Sequence, residues 1–239
     1  MILTFANSKG GTAKSTSAAA LAQAATYKGV TALVVDADPQ GNASHILGAD
    51  TNRAGLFEVL EGRATAQEAI QTTPTGPDAI AASWQLQEIT TSKGSAWRLK
   101  KALEPIRGKY QLVILDTPPT PGELQDNALL ASDSLIIPLS ADVLSLAGLF
   151  QMADTAQDFQ GLTIRGYLLT RHSARSTLSR QMAQTIEAEA QARAIPFLGA
   201  IREAVAIREA QALQQSLYTY APRSNPAQDY LSLLDKLTK

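Results

Sequence analysis

The chain has 239 residues, 45% hydrophobic and 18% charged, with a formal net charge of −1. That length and apolar content suit one α/β domain, expected to span 1–239, and the near-neutral charge leaves any DNA contact to a local patch. The absence of cysteine excludes disulfides, thiolate metal sites and cysteine nucleophiles, and the two histidines, His45 and His172, lie too far apart for a local metal signature.

The N-terminus lacks the basic start and long apolar core of a signal peptide, and no stretch reaches transmembrane length, so a cytoplasmic protein is expected. In chain order, a β-branched run predicts a strand over Ile2–Asn7, followed by a glycine turn and a helix over Lys14–Lys28 that Gly29 stops. A second strand is expected at Ala32–Asp36. The segment Thr72–Gly94, rich in Pro, Gly, Thr and Ser, reads as a connection around a minor strand at Ala79–Ala82. A helix over Ala96–Ile106 leads to strands at Leu112–Asp116 and Leu135–Leu139. Then come a helix over Leu144–Asp158, a strand over Ile164–Thr170, a helix over Leu178–Ala194, a weaker strand at Phe197–Ile201 and a helix over Ala227–Leu237. This alternation is that of βαβ units, and it predicts a mostly parallel central sheet flanked by helices on both faces, which together with the Lys9–Thr16 loop makes the expected class a P-loop NTPase fold.

The chemistry concentrates at three strand ends. Lys9, Gly10, Gly11, Thr12, Ala13, Lys14, Ser15 and Thr16 lie between the first strand and its helix, where backbone N–H groups converge on an anion. In that cradle Lys14 neutralises β/γ-phosphate charge and the Ser15 hydroxyl is a Mg²⁺ ligand. The second strand ends in Asp36 and Asp38, the third in Asp116, a candidate for the Walker B contact to Mg²⁺. Each feature has a plainer reading, since Gly-Gly turns are common and an aspartate often caps a helix or turn. Three of them at the carboxyl edge of one parallel sheet, where ligands bind, favour a Mg²⁺-dependent ATPase.

The chain resembles the ParA/Soj partition ATPases, a branch of the deviant Walker A class that also contains MinD. The resemblance rests on Asn7-Ser8-Lys9-Gly10-Gly11, on Asp36-Ala37-Asp38-Pro39-Gln40-Gly41-Asn42-Ala43 and on Leu115-Asp116-Thr117-Pro118-Pro119. It continues through Trp97–Leu103, Asn127–Ser134, Leu168–Thr170 and Tyr220–Ser224, so that nearly the whole chain is covered. No DNA-reading segment precedes the loop, as in the shorter members. The resemblance implies ATP and Mg²⁺ as cofactors, an ATP-bound homodimer, non-specific DNA binding on the nucleoid, and a ParB-like adaptor in plasmid or chromosome partition. It implies that Lys9 reaches the partner's phosphates, that Asp38 positions the attacking water, that Asp36 lies near the Mg²⁺ shell, and that Pro222 and Arg223 belong to a loop closing over adenine.

Two departures stand out. Ala13 occupies the place of the family's glycine before the lysine, where a Cβ crowds the phosphates unless the local φ is negative. Around Ala206 the family's Ile-Pro-Arg-Asn-Val-Arg run is altered, leaving Arg202 and Arg208 as substitutes for a DNA-contacting arginine. Arg171, Arg175 and Arg180, with His172, form a cationic cluster among serines, and Arg175 matches a DNA-binding arginine of the family; on composition alone the cluster reads as a solvated loop. Three rivals remain. A MinD-like membrane ATPase requires a basic amphipathic C-terminal helix, which Asp229–Leu237 does not supply. A tyrosine kinase of the same branch requires Tyr218, Tyr220 and Tyr230 as phosphorylation sites, and they are few and scattered. The third rival is a nucleotide-binding switch with little turnover.

Overall fold

A computed structural model describes residues 1–89, 95–141 and 150–238. Eight strands form one sheet: β1 (Ile2–Phe5), β2 (Ala32–Asp36), β3 (Gln71–Thr72), β4 (Asp78–Ile80), β5 (Leu112–Asp116), β6 (Ser134–Ser140), β7 (Thr163–His172) and β8 (Phe197–Arg202). Their order is β3-β4-β2-β5-β1-β6-β7-β8, and every neighbouring pair is parallel except β3 with β4. The helices are α1 (Lys14–Tyr27), α2 (Asn42–Leu47), α3 (Leu56–Leu60), α4 (Ala66–Ala69), α5 (Arg98–Leu103), α6 (Glu123–Ala131), α7 (Gln151–Ala156), α8 (Thr177–Ala192), α9 (Val205–Ala212), α10 (Leu217–Tyr220) and α11 (Asn225–Leu237).

Alternation along the strands divides the core. Leu3, Phe5, Val34, Ile114 and Leu168 pack under α1, α9, α10 and α11, whereas Ile2, Leu33, Val35, Val113 and Leu115 face α3 to α6. A third cluster joins Leu135, Ile137, Leu139, Tyr167 and Leu169 to α7 and α8. Helix α1 is buried along its whole middle, Ser17 to Ala25, because the sheet covers one side and α11 the other. Small alanines permit that close approach on all sides, so the helix shows little amphipathic pattern. Its stop is as expected: Gly29 follows the last turn with φ +79°.

Pro138 stands in a central strand, normally closed to proline. In parallel strands a residue's N–H and C=O point to the same neighbour, and the Pro138 carbonyl faces β1, where it accepts from Asn7 Nδ2 at 2.8 Å. The β1–β6 pairing ends at Phe5 opposite Ile136, so the missing N–H falls beyond the ladder.

The six strands read from sequence are found within a few residues of their expected bounds. Six helices were not anticipated, namely α2, α3, α4, α6, α9 and α10, all of them four to nine residues long. The connection around the minor strand contains a β3–β4 hairpin and a 3₁₀ turn over Trp84–Glu88, and its residues 90–94 lie outside the described residues. The helix expected over Leu144–Asp158 is present as α7, and residues 144–149 of that reading are likewise outside. The C-terminal helix uses its apolar face, Ala227, Tyr230, Leu233, Leu234 and Leu237, against α1 and β8, which leaves no apolar stripe for a bilayer. Tyr218 and Tyr230 are buried, unsuited to phosphorylation, and among the described residues no helix is long and apolar enough to cross a membrane.

Candidate functional site: a phosphate cradle at the carboxyl edge of the sheet

The register brings the three predicted strand ends together. Asp36 of β2 lies opposite Asp116 of β5, and Asp116 lies opposite Phe5, the last residue of β1 before the cradle. The loop from Asn7 to Lys14 is held from within. Asn7 Oδ1 accepts from the Lys9 N–H at 3.0 Å, and Thr170 of β7 donates its hydroxyl to the Thr12 carbonyl at 3.1 Å. Lys14 is buried and donates from Nζ to the carbonyls of Asn7 and Lys9, each at 3.1 Å. Burial pulls its pKa down, while the charges of Asp116 and Asp38 act in the opposite sense. The ammonium is thus held at the mouth of a helix whose first N–H groups have no intrahelical partner, an arrangement that attracts phosphate.

A cavity of about 500 Å³ opens onto this loop, lined by Gly10 to Thr16 with Asp38, Gln40, Asn42, Pro119 and Gln211 among others. A smaller one, about 160 Å³, is bounded by Thr170, Arg171, Ile201, Arg202, Ile207 and Tyr230. Ala13, Thr16 and Gln211 line both. The first has the room and charge for a triphosphate, and the second, with Ile201, Ile207 and Tyr230 on its walls, suits a base.

The carboxylates divide the work. Asp36 accepts from the Asp38 N–H at 3.1 Å and from the Ser44 N–H and hydroxyl at 2.7 Å each, so it organises the loop that carries Asp38. Burial, its largest influence, pushes its pKa up to about 6 against those bonds. Asp116 is fully buried, and neither of its oxygens has a partner in good hydrogen-bond geometry; its pKa is raised well above the carboxylate range, first by burial and then by the Asp36 charge, with the nearby Ser15 hydroxyl acting in the opposite sense. Two orphaned carboxylate oxygens beside the Ser15 hydroxyl are the donor set that a hard divalent cation satisfies, and they fit Mg²⁺. Asp36, expected near the metal shell, stands in register opposite Asp116, and its oxygens are already occupied by the loop.

A pH dependence follows. An acid whose native pKa exceeds its unfolded value, near 4, binds more protons folded than unfolded between the two, so stability falls as pH rises through that window. The nucleotide-free protein should therefore lose melting temperature relative to Asp36→Asn as pH is raised from about 4 to about 7. Thermal scans of both proteins check this, and a wild type that gained stability relative to Asp36→Asn over that range would show a native Asp36 pKa that is not raised.

Ala13 corrects one expectation. Tolerance of its Cβ was tied to a negative φ, yet Ala13 is left-handed, φ +59° and ψ +34°. The turn that admits Gly11 at φ +75° continues into a residue with a side chain, at a cost of about 1–2 kcal/mol. Ala13→Gly should raise stability by about 0.5–1 kcal/mol, the relief being partly offset by greater unfolded-chain freedom. A urea titration tests this; a destabilised glycine variant would mean that the methyl's packing outweighs the strain.

The predicted arginines separate into two groups. Arg202 is bidentate to Asp229, with Nη2 at 2.6 Å from Oδ1 and Nε at 3.0 Å from Oδ2, and it lines the smaller cavity. Arg171 and Arg208 both face Glu203, at 3.8 and 3.6 Å. Arg175 is exposed, and Arg180 donates to the Ala174 carbonyl at 2.7 Å and to the Thr177 hydroxyl at 3.0 Å. His172 Nδ1 lies 2.8 Å from the Ser179 hydroxyl and closes the turn between β7 and α8. Pro222 and Arg223 precede α11 and are exposed, outside the lining of both cavities. Asp229, a turn and a half further along, bonds the Arg202 N–H at the carboxyl end of β8, which keeps the pair at the site's edge of the sheet.

The family model described as an AAA domain matches residues 1–165. The sporulation initiation inhibitor protein Soj of Bacillus subtilis is 35% identical, over 97% of this chain and 96% of its own length. The chain belongs to the ParA/Soj family. The chromosome partitioning protein ParA of Caulobacter vibrioides is 34% identical over 97% of this chain and 91% of its own length. Among solved structures, the septum site-determining protein MinD of Pyrococcus horikoshii, complexed with Mg-ADP, has a TM-score of 0.84 at 27% identity, covering 100% of this chain and 96% of that one. This ParA/Soj chain is an ATPase, with ATP and Mg²⁺ as its cofactors.

Some lining residues carry no local sequence signal. Thr170 and Gln211 act across the fold, Gln211 through Thr16 at a separation of 195 residues. Ser44 could have been suspected from the short helix that starts at Asn42, because its N–H lies where an acceptor is needed.

Proposed function

We propose that this ParA/Soj chain is a partition ATPase in which Mg-ATP pairs two copies face to face, the pair binds DNA without sequence preference, and a ParB-like adaptor stimulates hydrolysis. The observation that carries this reading is the contrast between the two cradle lysines. Lys14 is buried and bonded to the loop, whereas Lys9, five positions earlier, is exposed next to the phosphate cavity. A cation there is available to a second subunit's phosphates. In each subunit Lys14 and the N-terminus of α1 hold the phosphates, Ser15 and Asp116 hold the cation, and Asp38 directs water. Mg²⁺ neutralises charge on the phosphates when bound.

DNA contact is assigned to Arg175 and Arg180 at the start of α8, with Arg171 beside them. Arg208, shared with Glu203, contributes less, and Arg202 is committed to Asp229. Two patches held in one dimer double the phosphate contacts without a new residue. Log affinity should fall linearly with log salt, with a slope of about −0.9 per phosphate neutralised. Arg175→Glu should weaken binding to every sequence alike and leave ATP-dependent pairing intact, because a phosphate contact carries no base information. DNA titrations at two salt concentrations, with ATP, with ADP and without nucleotide, test this. Binding indifferent to nucleotide, or undiminished in Arg175→Glu, would remove DNA as the surface on which the dimer acts and point to a protein cargo.

A further inference from the structure

The two cavities at the cradle share Ala13, Thr16 and Gln211 in their linings, and these residues bound the waist between them. Of these, Ala13 has no polar side-chain atom and Thr16 belongs to the cradle itself. Gln211 comes from α9, and its Nε2 donates to the Thr16 hydroxyl at 3.2 Å. That bond uses one of the two amide protons, leaving the second N–H and the side-chain carbonyl without a bonded partner among the described residues. A phosphate can only accept hydrogen bonds, so the Gln211 carbonyl finds no partner there. A sugar hydroxyl both donates and accepts, and it matches both halves of the amide.

If the larger cavity holds the triphosphate and the smaller the base, the ribose has to cross the waist. We propose that Gln211 is the ribose-binding residue of this ATPase, its amide recognising the sugar hydroxyls of the nucleotide. The inference rests on the assignment of the two cavities made above. Burying an amide against a hydroxyl is worth about 1 kcal/mol, roughly five-fold in affinity, and the same amide rejects a sugar that lacks the hydroxyl because its own groups are then left unpaired.

The experiment compares three ligands, each with Mg²⁺, by calorimetry on the full chain: ATP, 2′,3′-dideoxy-ATP and inorganic tripolyphosphate. Wild type should prefer ATP over the dideoxy form by about five-fold or more. In Gln211→Ala that preference should vanish through loss of ATP affinity, while tripolyphosphate binds as in wild type. Gln211→Glu, close in size, should keep the preference in part, because its carboxylate still accepts from a hydroxyl. A Gln211→Ala protein that lost tripolyphosphate affinity equally would show the residue acting only through Thr16, and one that kept the ATP preference would exclude it from the sugar. Either result overturns the proposal. Wild type that bound ATP but not tripolyphosphate, with ATP affinity unchanged by Lys14→Ala, would remove the cavity assignment itself and the proposal with it.

Discussion

Lys14→Ala should lower Mg-ATP affinity by roughly 10- to 100-fold. A charged hydrogen bond contributes about 1.5–3 kcal/mol, and every 1.4 kcal/mol is ten-fold. Lys14 is buried, with its Nζ among loop carbonyls rather than in water, so phosphate binding requires little further desolvation of the ammonium. The same substitution removes the cation nearest Asp116, whose buried carboxyl then stays protonated to a higher pH and holds Mg²⁺ less well. Affinity should therefore fall for Mg-ADP as well. Calorimetry with both nucleotides decides the matter, and an unchanged Mg-ATP affinity would place the cradle elsewhere.

Asp38→Ala should separate binding from turnover. Asp38 lines the phosphate cavity, and its carboxylate accepts the Gln40 N–H at 3.0 Å while its own N–H is tied to Asp36. Anchored on both sides, it is well placed to orient water but not to hold the nucleotide. Turnover should drop by about 100-fold or more, the range expected for a positioned acid–base group, with Mg-ATP affinity changed by less than about three-fold. The ATP-bound pair should then accumulate. Lys9→Ala should do the reverse, weakening ATP-dependent pairing. Steady-state hydrolysis together with light scattering reads both effects; an Asp38→Ala protein that turned over normally would release Asp38 from its role, and a Lys9→Ala protein that paired and hydrolysed normally would end the case for action across the interface.

The parts of the site that were legible in the sequence share one property: their signal is local. A β-branched run followed by glycines and Lys-Ser, and two apolar runs ending in aspartate, specify strand, turn and helix within about ten residues. The parallel register then places Asp36, Asp116 and the cradle side by side without further information. The smaller cavity is different. Its walls come from β7, β8, α9 and α11, and α9 was not anticipated because its eight residues fall short of the roughly 10–12 over which a helical period is read, although its apolar face is as marked as that of α8. Arg202 looked like a DNA contact because its partner, Asp229, lies 27 positions away. The backbone of Ala13 was open for another reason: left-handed conformation in a residue with a side chain is imposed by the surrounding loop, not by its own preference.

The place of β1 in the sheet also sets a timetable for biosynthesis. The strand β1 emerges from the ribosome long before both of its neighbours, β5 and β6, and Asn7 waits for a carbonyl 131 positions downstream. At about 5–20 residues per second, that interval is on the order of ten seconds. During it an apolar strand and an alanine-rich helix hang without their final partners, open to chaperones. The candidate phosphate loop, although it precedes those strands in the chain, thus becomes competent only after them, and a nascent chain halted before Ser140 carries the cradle's residues without the frame that shapes them.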